Sequence, residues 1–410
     1  VQIVANSAIN SQHGMFNRAG FHHMHSKVQH SSRIDLSLSA MRGNLELLRR
    51  LMGDHPVISV VVKANAYGHG VEQIVPMAER CGIRHFSVAT SFEAQQAHAA
   101  RSEDSRVMIM GILHDTDLPW VIEQGIEFYV FSMRRINLAV EVARKLGKRA
   151  QIHLEVETGA NRTGLEYAKL AEALSIIQRE RKHLKLVGVC SHLAGAESIA
   201  NKFRIDKQLQ VFEKIKQRLA RRSTKPLFHV ASSAAALSRP ESRHDLVRVG
   251  TVVYGLYPSP DIHNMMLLNA TRGDDVRLRR VITWKTDVMQ VRRVDQGEFV
   301  GYGTSYQAPR DSLIAVVPIG YGNGYPREMS NRGNVLIRGR RAPIVGLVNM
   351  NMCFADVTNI PGVDDGDEVV LVGRQKKNDI TIRSFSEFSS ALNTEFLSRL
   401  PGIIPRRIVK

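Results

Sequence analysis

Cysteine is scarce in this chain: of 410 residues only Cys81, Cys190 and Cys353 carry a thiol, widely spaced and without a CxxC pair. Such usage excludes a disulfide framework and a zinc ribbon and suits a reducing compartment, the cytoplasm being the expected one. Long apolar runs are absent too. No stretch approaches the roughly 18 residues of a bilayer-spanning helix, so a soluble protein without a membrane partner is expected. Acidic side chains are outnumbered, 39 Asp and Glu against 56 Lys and Arg, leaving a formal net charge of +17. The basic groups fall at RERKHLK (179–185), KQRLARRSTK (216–225), RLRR (277–280) and RGRR (338–341). They are scattered and lack interleaved aromatics or zinc-finger spacing, which argues against a nucleic-acid partner and for a solvated basic surface that attracts small anions. The first 32 residues open on Val1, hold five histidines, and show neither periodicity nor a charged-then-apolar signal-peptide pattern. His22, His23 and His25 sit in this polar tail without fixed geometry, and no metal site is assigned to them.

What the chain does have is a cycle. Apolar, β-branched runs of strand length occur at ISVVVKA (58–64), HFSVA (85–89), RVMIMGI (106–112), FYVFS (128–132), AQIHLEVE (150–157), LKLVGVCSH (184–192), LFHVAS (227–232) and LVRVGTVVYG (246–255). Amphipathic stretches such as MRRINLAVEVARKLGK separate most of them. Eight strands alternating with helices predict right-handed βαβ units closing into a (β/α)8 TIM-type barrel, in preference to a doubly wound open sheet. After about residue 270 the cycle stops, and VITWKTDVMQVRRV, SLIAVVPIGYG, NVLIRG, PIVGLVNMN and EVVLVGR follow one another without long helical patterns. The expected organisation is therefore an extension over 1–32, a barrel over 33–270 and a mostly antiparallel β domain over 271–410.

In a barrel, chemistry collects at the C-terminal ends of the strands. Lys63 stands at such an end, in VVVKANAYGHG. An amine there can form a Schiff base with a carbonyl, or it can simply reach for solvent. Its neighbours favour the first reading: Tyr67 can hydrogen-bond a phosphate, Gly68 and Gly70 allow tight turns, and Asn65 can fix the loop. A second cluster, His229-Val-Ala-Ser232-Ser233 and Arg248-Val-Gly250-Thr251, lies at the seventh and eighth strand ends. Hydroxyls before a helical alanine run place side chains and free backbone N–H groups where an anion docks.

Eight ordered blocks carry a resemblance: VVVKANAYGHG, ETGANRTG (157–164), CSHLAGAES (190–198), HVASSAAAL (229–237), RVGTVVYGLYP (248–258), VGYGTSY (300–306), VPIGYGNGYPR (317–327) and GLVNMNMCFADVT (346–358). From about residue 33 to the C-terminus the chain resembles the bacterial alanine racemases, enzymes that depend on pyridoxal 5'-phosphate (PLP) and join a barrel to a β domain. The resemblance implies that Lys63 holds PLP and serves as one acid/base, with Tyr302 as the other. It implies that Arg248 faces the pyridine nitrogen, that His192 bridges this arginine to the tyrosine, and that His229 lies at the ring. Tyr67, Ser233, Gly250 and Thr251 fall on phosphate positions. Arg162 and the Met350 backbone N–H match groups that bind the substrate carboxylate, and Tyr321 matches a tyrosine of the entryway. A homodimer that shares its active sites across the interface is implied as well, with a small amino acid as substrate and D-alanine for peptidoglycan as product.

Three positions depart from the family pattern. Glu155 stands where many members have a lysine, often carbamylated, and offers a carboxylate directly. Asn349-Met350-Asn351 replaces the usual Ser-Met-Asp, which removes a charge beside the substrate. Gly402 stands about where many members place a phosphate-binding, gate-forming tyrosine. The last two keep a broad-specificity amino-acid racemase as an alternative. A barrel-plus-β-domain decarboxylase is disfavoured by Arg248, since those enzymes pair the pyridine nitrogen with an acid, and a lone-barrel PLP carrier is disfavoured by the second domain with Tyr302.

Overall fold

The computed structural model describes residues 29–220, 225–270, 275–387 and 392–410. Most of the expected N-terminal extension, including His22, His23 and His25, lies outside the described residues. The first strand, β1 (Ser32–Ser37), alternates buried and half-buried residues and ends on Ser37, whose Oγ accepts from the Ala40 N–H at 3.1 Å and caps the helix Leu38–Met52. Eight parallel strands follow: β2 (Val57–Val61), β3 (His85–Thr90), β4 (Arg106–Ile112), β5 (Glu127–Val130), β6 (Ala150–Glu155), β7 (Leu184–Cys190), β8 (Leu227–His229) and β9 (Leu246–Val249). They are ordered β8-β7-β6-β5-β4-β3-β2-β9. The ring closes between its two ends, where the Asp245 N–H donates to Phe228 O at 3.0 Å and the Arg248 N–H to Ala231 O at 3.0 Å. All eight strand runs read from the sequence lie in this (β/α)8 barrel, whose valines, isoleucines and leucines are buried between the strands and the outer helices.

A separate, mostly antiparallel domain follows, built from β10 (Ile282–Asp287), β11 (Gln290–Val294), β12 (Ser312–Val317), β13 (Asn334–Ile337), β14 (Arg340–Pro343), β15 (Cys353–Asp356), β16 (Glu368–Gln375), β17 (Asn378–Ile380) and β18 (Arg406–Val409). Its larger sheet runs β14-β13-β16-β10-β1-β18, with β17 beside β16, and a smaller one runs β11-β12-β15. β1, which precedes the barrel in sequence, thus pairs antiparallel with β10 and parallel with β18. The chain starts in one sheet, makes the barrel, and returns. Trp284, Tyr325, Phe385 and Phe396 fill the core of this domain, the two phenylalanines stacked at 4.2 Å.

Candidate active site

Val62 leads from β2 into Lys63, which is exposed on the C-terminal rim of the barrel. The next four residues, Ala64, Asn65, Ala66 and Tyr67, all have φ between 51° and 53°, a turn of left-handed helix without a glycine. Each alanine or tyrosine in that conformation costs roughly 1–2 kcal/mol, so the surroundings must impose it. Glu93 does so from below: its carboxylate accepts from the Ala64 N–H at 2.8 Å and from the Ala89 N–H, at the end of β3, at 2.7 Å. Asn65 Oδ1 accepts from the Val71 N–H at 2.9 Å, and His69 Nδ1 donates to Ala66 O and Tyr67 O at 3.0 and 2.9 Å. The buried His69 ring stacks on Tyr254 at 4.4 Å, and burial pulls its pKa down to about 4. The second domain grips the turn from outside. Arg406 Nη2 donates to Gly68 O at 2.8 Å, and Gly68, at φ 76°, lies so close to Leu397 that a Cβ there would sit 1.9 Å from the Leu397 carbonyl oxygen.

The left-handed turn brings Tyr67 against the second sequence cluster. Its hydroxyl approaches Gly250 so closely that a Cβ at that glycine would lie 2.7 Å from it. The Gly250 N–H donates to Ser233 Oγ at 2.9 Å, and Ser233 opens the short helix Ser233–Ser238. Beside them Thr251 Oγ1 is buried without a hydrogen-bond partner. A buried hydroxyl left unsatisfied beside Gly250 and the Tyr67 hydroxyl is suited to an oxygen-rich anion. Burial first, and the Glu93 charge second, push the Tyr67 phenol up to about 12, so it stays a donor.

Across the rim, Arg248 is buried on β9. It donates to His229 Nδ1 at 2.6 Å, His229 O at 3.1 Å, Ser191 O at 2.8 Å and Val230 O at 3.2 Å. His192, at the end of β7, is brought down to about 3 by burial and then by the charges of Arg248, Arg162 and Lys63. The same three positive charges act at the C-terminal rim of the barrel, where they favour a bound carboxylate or phosphate. No hydrogen bond joins His192 to Arg248 among the described residues. Arg162 is largely exposed, with Nη2 4.0 Å from Glu155 Oε1, while Glu155 Oε2 is buried and unpartnered. Burial raises the Glu155 pKa, and Thr163, Arg162 and Arg248 oppose the rise.

The residues of the second domain form a different group. The Tyr321 N–H donates to Asn349 O at 3.0 Å and the Gly322 N–H to Met350 O at 2.8 Å, which locks the Tyr321 and Met350 loops together. Tyr302 lies on a glycine-flanked loop and is 72% exposed. Among the described residues no hydrogen bond, ion pair or ring contact joins Tyr302, Tyr321 or Met350 to the Lys63 group. Gly402 sits beside the left-handed turn, and a Cβ there would meet nothing nearer than Asn65 Nδ2 at 3.9 Å.

With that geometry in view, comparison with known proteins is decisive. A profile of the alanine racemase N-terminal domain matches residues 36–258, and one of the alanine racemase C-terminal domain matches residues 281–408. The chain belongs to the alanine racemase family. The alanine racemase of Symbiobacterium thermophilum is 33% identical over 374 residues, spanning 91% of this chain and 95% of the relative. Alanine racemase 1 of Caldanaerobacter subterraneus subsp. tengcongensis is 30% identical over 376 residues, spanning 92% and 94%. The crystal structure of alanine racemase from D-cycloserine-producing Streptomyces lavendulae superimposes with a TM-score of 0.83 at 29% identity, covering 94% of this chain and 98% of that one. Alanine racemase from Bartonella henselae, solved with covalently bound pyridoxal phosphate, gives a TM-score of 0.78 at 27% identity, covering 93% and 100%.

Membership makes the chain an isomerase acting on amino acids, in a PLP-dependent family. The residues of the rim suit such a cofactor: the unsatisfied Thr251 hydroxyl beside Gly250 suits its phosphate, and Lys63 is exposed on the same rim. Three residues of the site were missed in the sequence. Glu93 sits in Thr90-Ser-Phe-Glu93, a capping-box spacing that could have marked it; Thr90 Oγ1 does accept from the Glu93 N–H at 3.1 Å, but the carboxylate reaches the Lys63 turn instead. Gln208 is buried and donates to Thr158 Oγ1 and His192 O at 3.2 and 3.0 Å, tying the Arg162 loop to His192. Arg406 carries no local signal.

Proposed function

We propose that the chain interconverts L- and D-alanine with pyridoxal 5'-phosphate and two opposed bases, Lys63 and Tyr302. The observation that carries this reading is the cradle of Tyr67, Ser233, Gly250 and the buried, unpartnered Thr251 hydroxyl on the barrel rim that also bears the exposed Lys63. When bound, the cofactor supplies an electron sink that acidifies the Cα–H of an attached amino acid. Tyr67, Ser233, Thr251 and the Gly250 backbone would hold its phosphate, and His229 would lie at its ring. Arg162, backed by Glu155, takes the substrate carboxylate through its planar donor fork, and the Met350 N–H adds to the same grip. Tyr321 lines the way in. Racemisation removes a proton from one face of a flattened carbon and delivers one to the other, so a base is required on each face. Lys63 serves one face. Tyr302 serves the other and, being exposed in its own chain, is contributed by a second copy in a homodimer. Arg248 would face the ring nitrogen of the bound cofactor, where a guanidinium, which only donates, would weaken the sink and favour quick reprotonation over side reactions. The D-alanine formed supplies peptidoglycan.

The test is an absorbance spectrum of purified protein followed by a chiral assay with L-alanine. A cofactor band that survives dialysis, disappears in Lys63→Ala, and accompanies D-alanine formation is the expected result. A Lys63→Ala protein with an unchanged band would overturn the assignment. A second reading, a racemase of broad specificity, is favoured by the open space at Gly402 and by Asn351 in place of an acid. Initial rates with alanine, serine, lysine and arginine separate the two, and longer substrates matching alanine would replace the narrow reading.

A further inference from the structure

A line of buried polar groups runs down the inside of the barrel from Arg248, away from the rim. His229 Nε2 lies 2.9 Å from His153 Nδ1, and His153 Nε2 lies 2.8 Å from Glu127 Oε2. Glu127 Oε2 also faces His85 Nε2 at 3.1 Å, and His85 Nδ1 faces Ser59 Oγ at 2.8 Å. Glu127 Oε1 accepts from Arg106 Nη1 at 3.0 Å. His229 ends β8, His153 is mid-strand on β6, and Glu127, Arg106 and His85 are the first residues of β5, β4 and β3. The line therefore spans from the catalytic end of the barrel to its opposite mouth. There the half-exposed Arg106 meets solvent, while Glu127 itself is 1% exposed.

The direction of every bond in it follows from one fact. A guanidinium only donates, so His229 Nδ1 must accept from Arg248, and the His229 proton must sit on Nε2. That N–H obliges His153 Nδ1 to accept, which puts the His153 proton on Nε2, pointing at Glu127. A carboxylate only accepts, and it terminates the line. Reversing any member would set two donors face to face beside Arg248 and loosen its hold on the Ser191, His229 and Val230 carbonyls. Gly188 leaves the space for this packing, since a Cβ there would lie 2.3 Å from His153 Nδ1.

We propose that His153 and Glu127 are positioning residues that act through His229: by giving an acceptor to the Nε2–H that Arg248 imposes, they fix the orientation of the ring against which Arg248 is held. Its effect on turnover rests on the racemase reading above; the tautomer itself does not. The test uses holoenzyme with 15N-labelled histidine rings, together with steady-state kinetics. In the unsubstituted protein His229 carries its proton on Nε2, and finding it on Nδ1 overturns the proposal without any variant. His153→Phe keeps the ring volume, leaves Glu127 paired with His85 and Arg106, and removes the acceptor for His229. It is expected to leave the His229 Nε2–H without an acceptor, which shifts its 15N and N–H signals and loosens the ring against Arg248, to shift the cofactor absorbance band and to lower kcat roughly 10-fold with KM within about threefold, as losing a supporting shell does elsewhere. In Glu127→Gln the amide oxygen still accepts from His153, so the tautomer persists and kcat stays within about threefold. Unchanged kcat and unchanged His229 ring signals in His153→Phe, or equal losses in both variants, would reduce the line to packing. Failure of the racemase reading shows separately, as no D-alanine from the unsubstituted protein.

Discussion

Arg248 carries a full charge, yet its donors meet three backbone carbonyls and a histidine nitrogen, and among the described residues no carboxylate lies within ion-pair distance. A buried cation without a counter-ion is costly unless an anion or electron-rich group shares the site, which makes this residue the clearest mark of a bound ligand. Replacing it with an acid reverses the proposed electronics. Arg248→Glu is expected to lower kcat by roughly 100-fold, the scale of losing one preorganised electrostatic group, and to produce a persistent long-wavelength absorbance band with L-alanine. A variant without that band would remove the electron-sink argument. The arginine was visible in the sequence only through the company of Lys63, Ser233, Gly250 and Thr251, because a lone arginine there also reads as a barrel-bottom residue. For the same reason Glu127 and His153 were passed over: polar residues in strands look outward-facing until a closed barrel turns one face into an interior.

Among the elements, the left-handed turn after β2 matters most. Its sequence announced a phosphate-binding tyrosine and flexible glycines, but nothing local shows four successive non-glycine residues in a conformation that alanine and tyrosine disfavour. It is stabilised by non-local groups, namely Glu93 from the next βα unit and Arg406 and Leu397 from the second domain. Glu93→Ala frees the Ala64 and Ala89 N–H groups, and a loss of about 1–2 kcal/mol in urea unfolding of the cofactor-free protein is expected. Weaker cofactor retention should accompany it. Wild-type stability and retention would show that the turn holds itself. β1 teaches a related point: its alternation was legible, its partners β10 and β18 were not, since period two gives a face and not a neighbour.

Taken whole, the described part of the molecule buries several uncharged histidines. His69, His153 and His229 are fully buried, and burial holds each pKa below its ordinary value. Below pH ~6.5 the unfolded chain takes up protons that the folded one refuses, so stability is lost as pH falls, by roughly 1.4 kcal/mol per pH unit for each such group. Unfolding free energies measured between pH 7 and 5 should decline steeply, and a flat profile would contradict the neutral assignments. Architecture was the most legible level, because eight β-branched runs in alternation with amphipathic helices admit few closed arrangements. Assembly was the least, since Tyr302 and Lys63 are separate within one chain. Mixing Lys63→Ala subunits with Tyr302→Phe subunits tests the two-base, shared-site account most directly. Random pairing in a dimer rebuilds one intact site in half the molecules, so the mixture should reach about a quarter of wild-type racemisation of L-alanine. A mixture no more active than its two inactive parents would contradict the account.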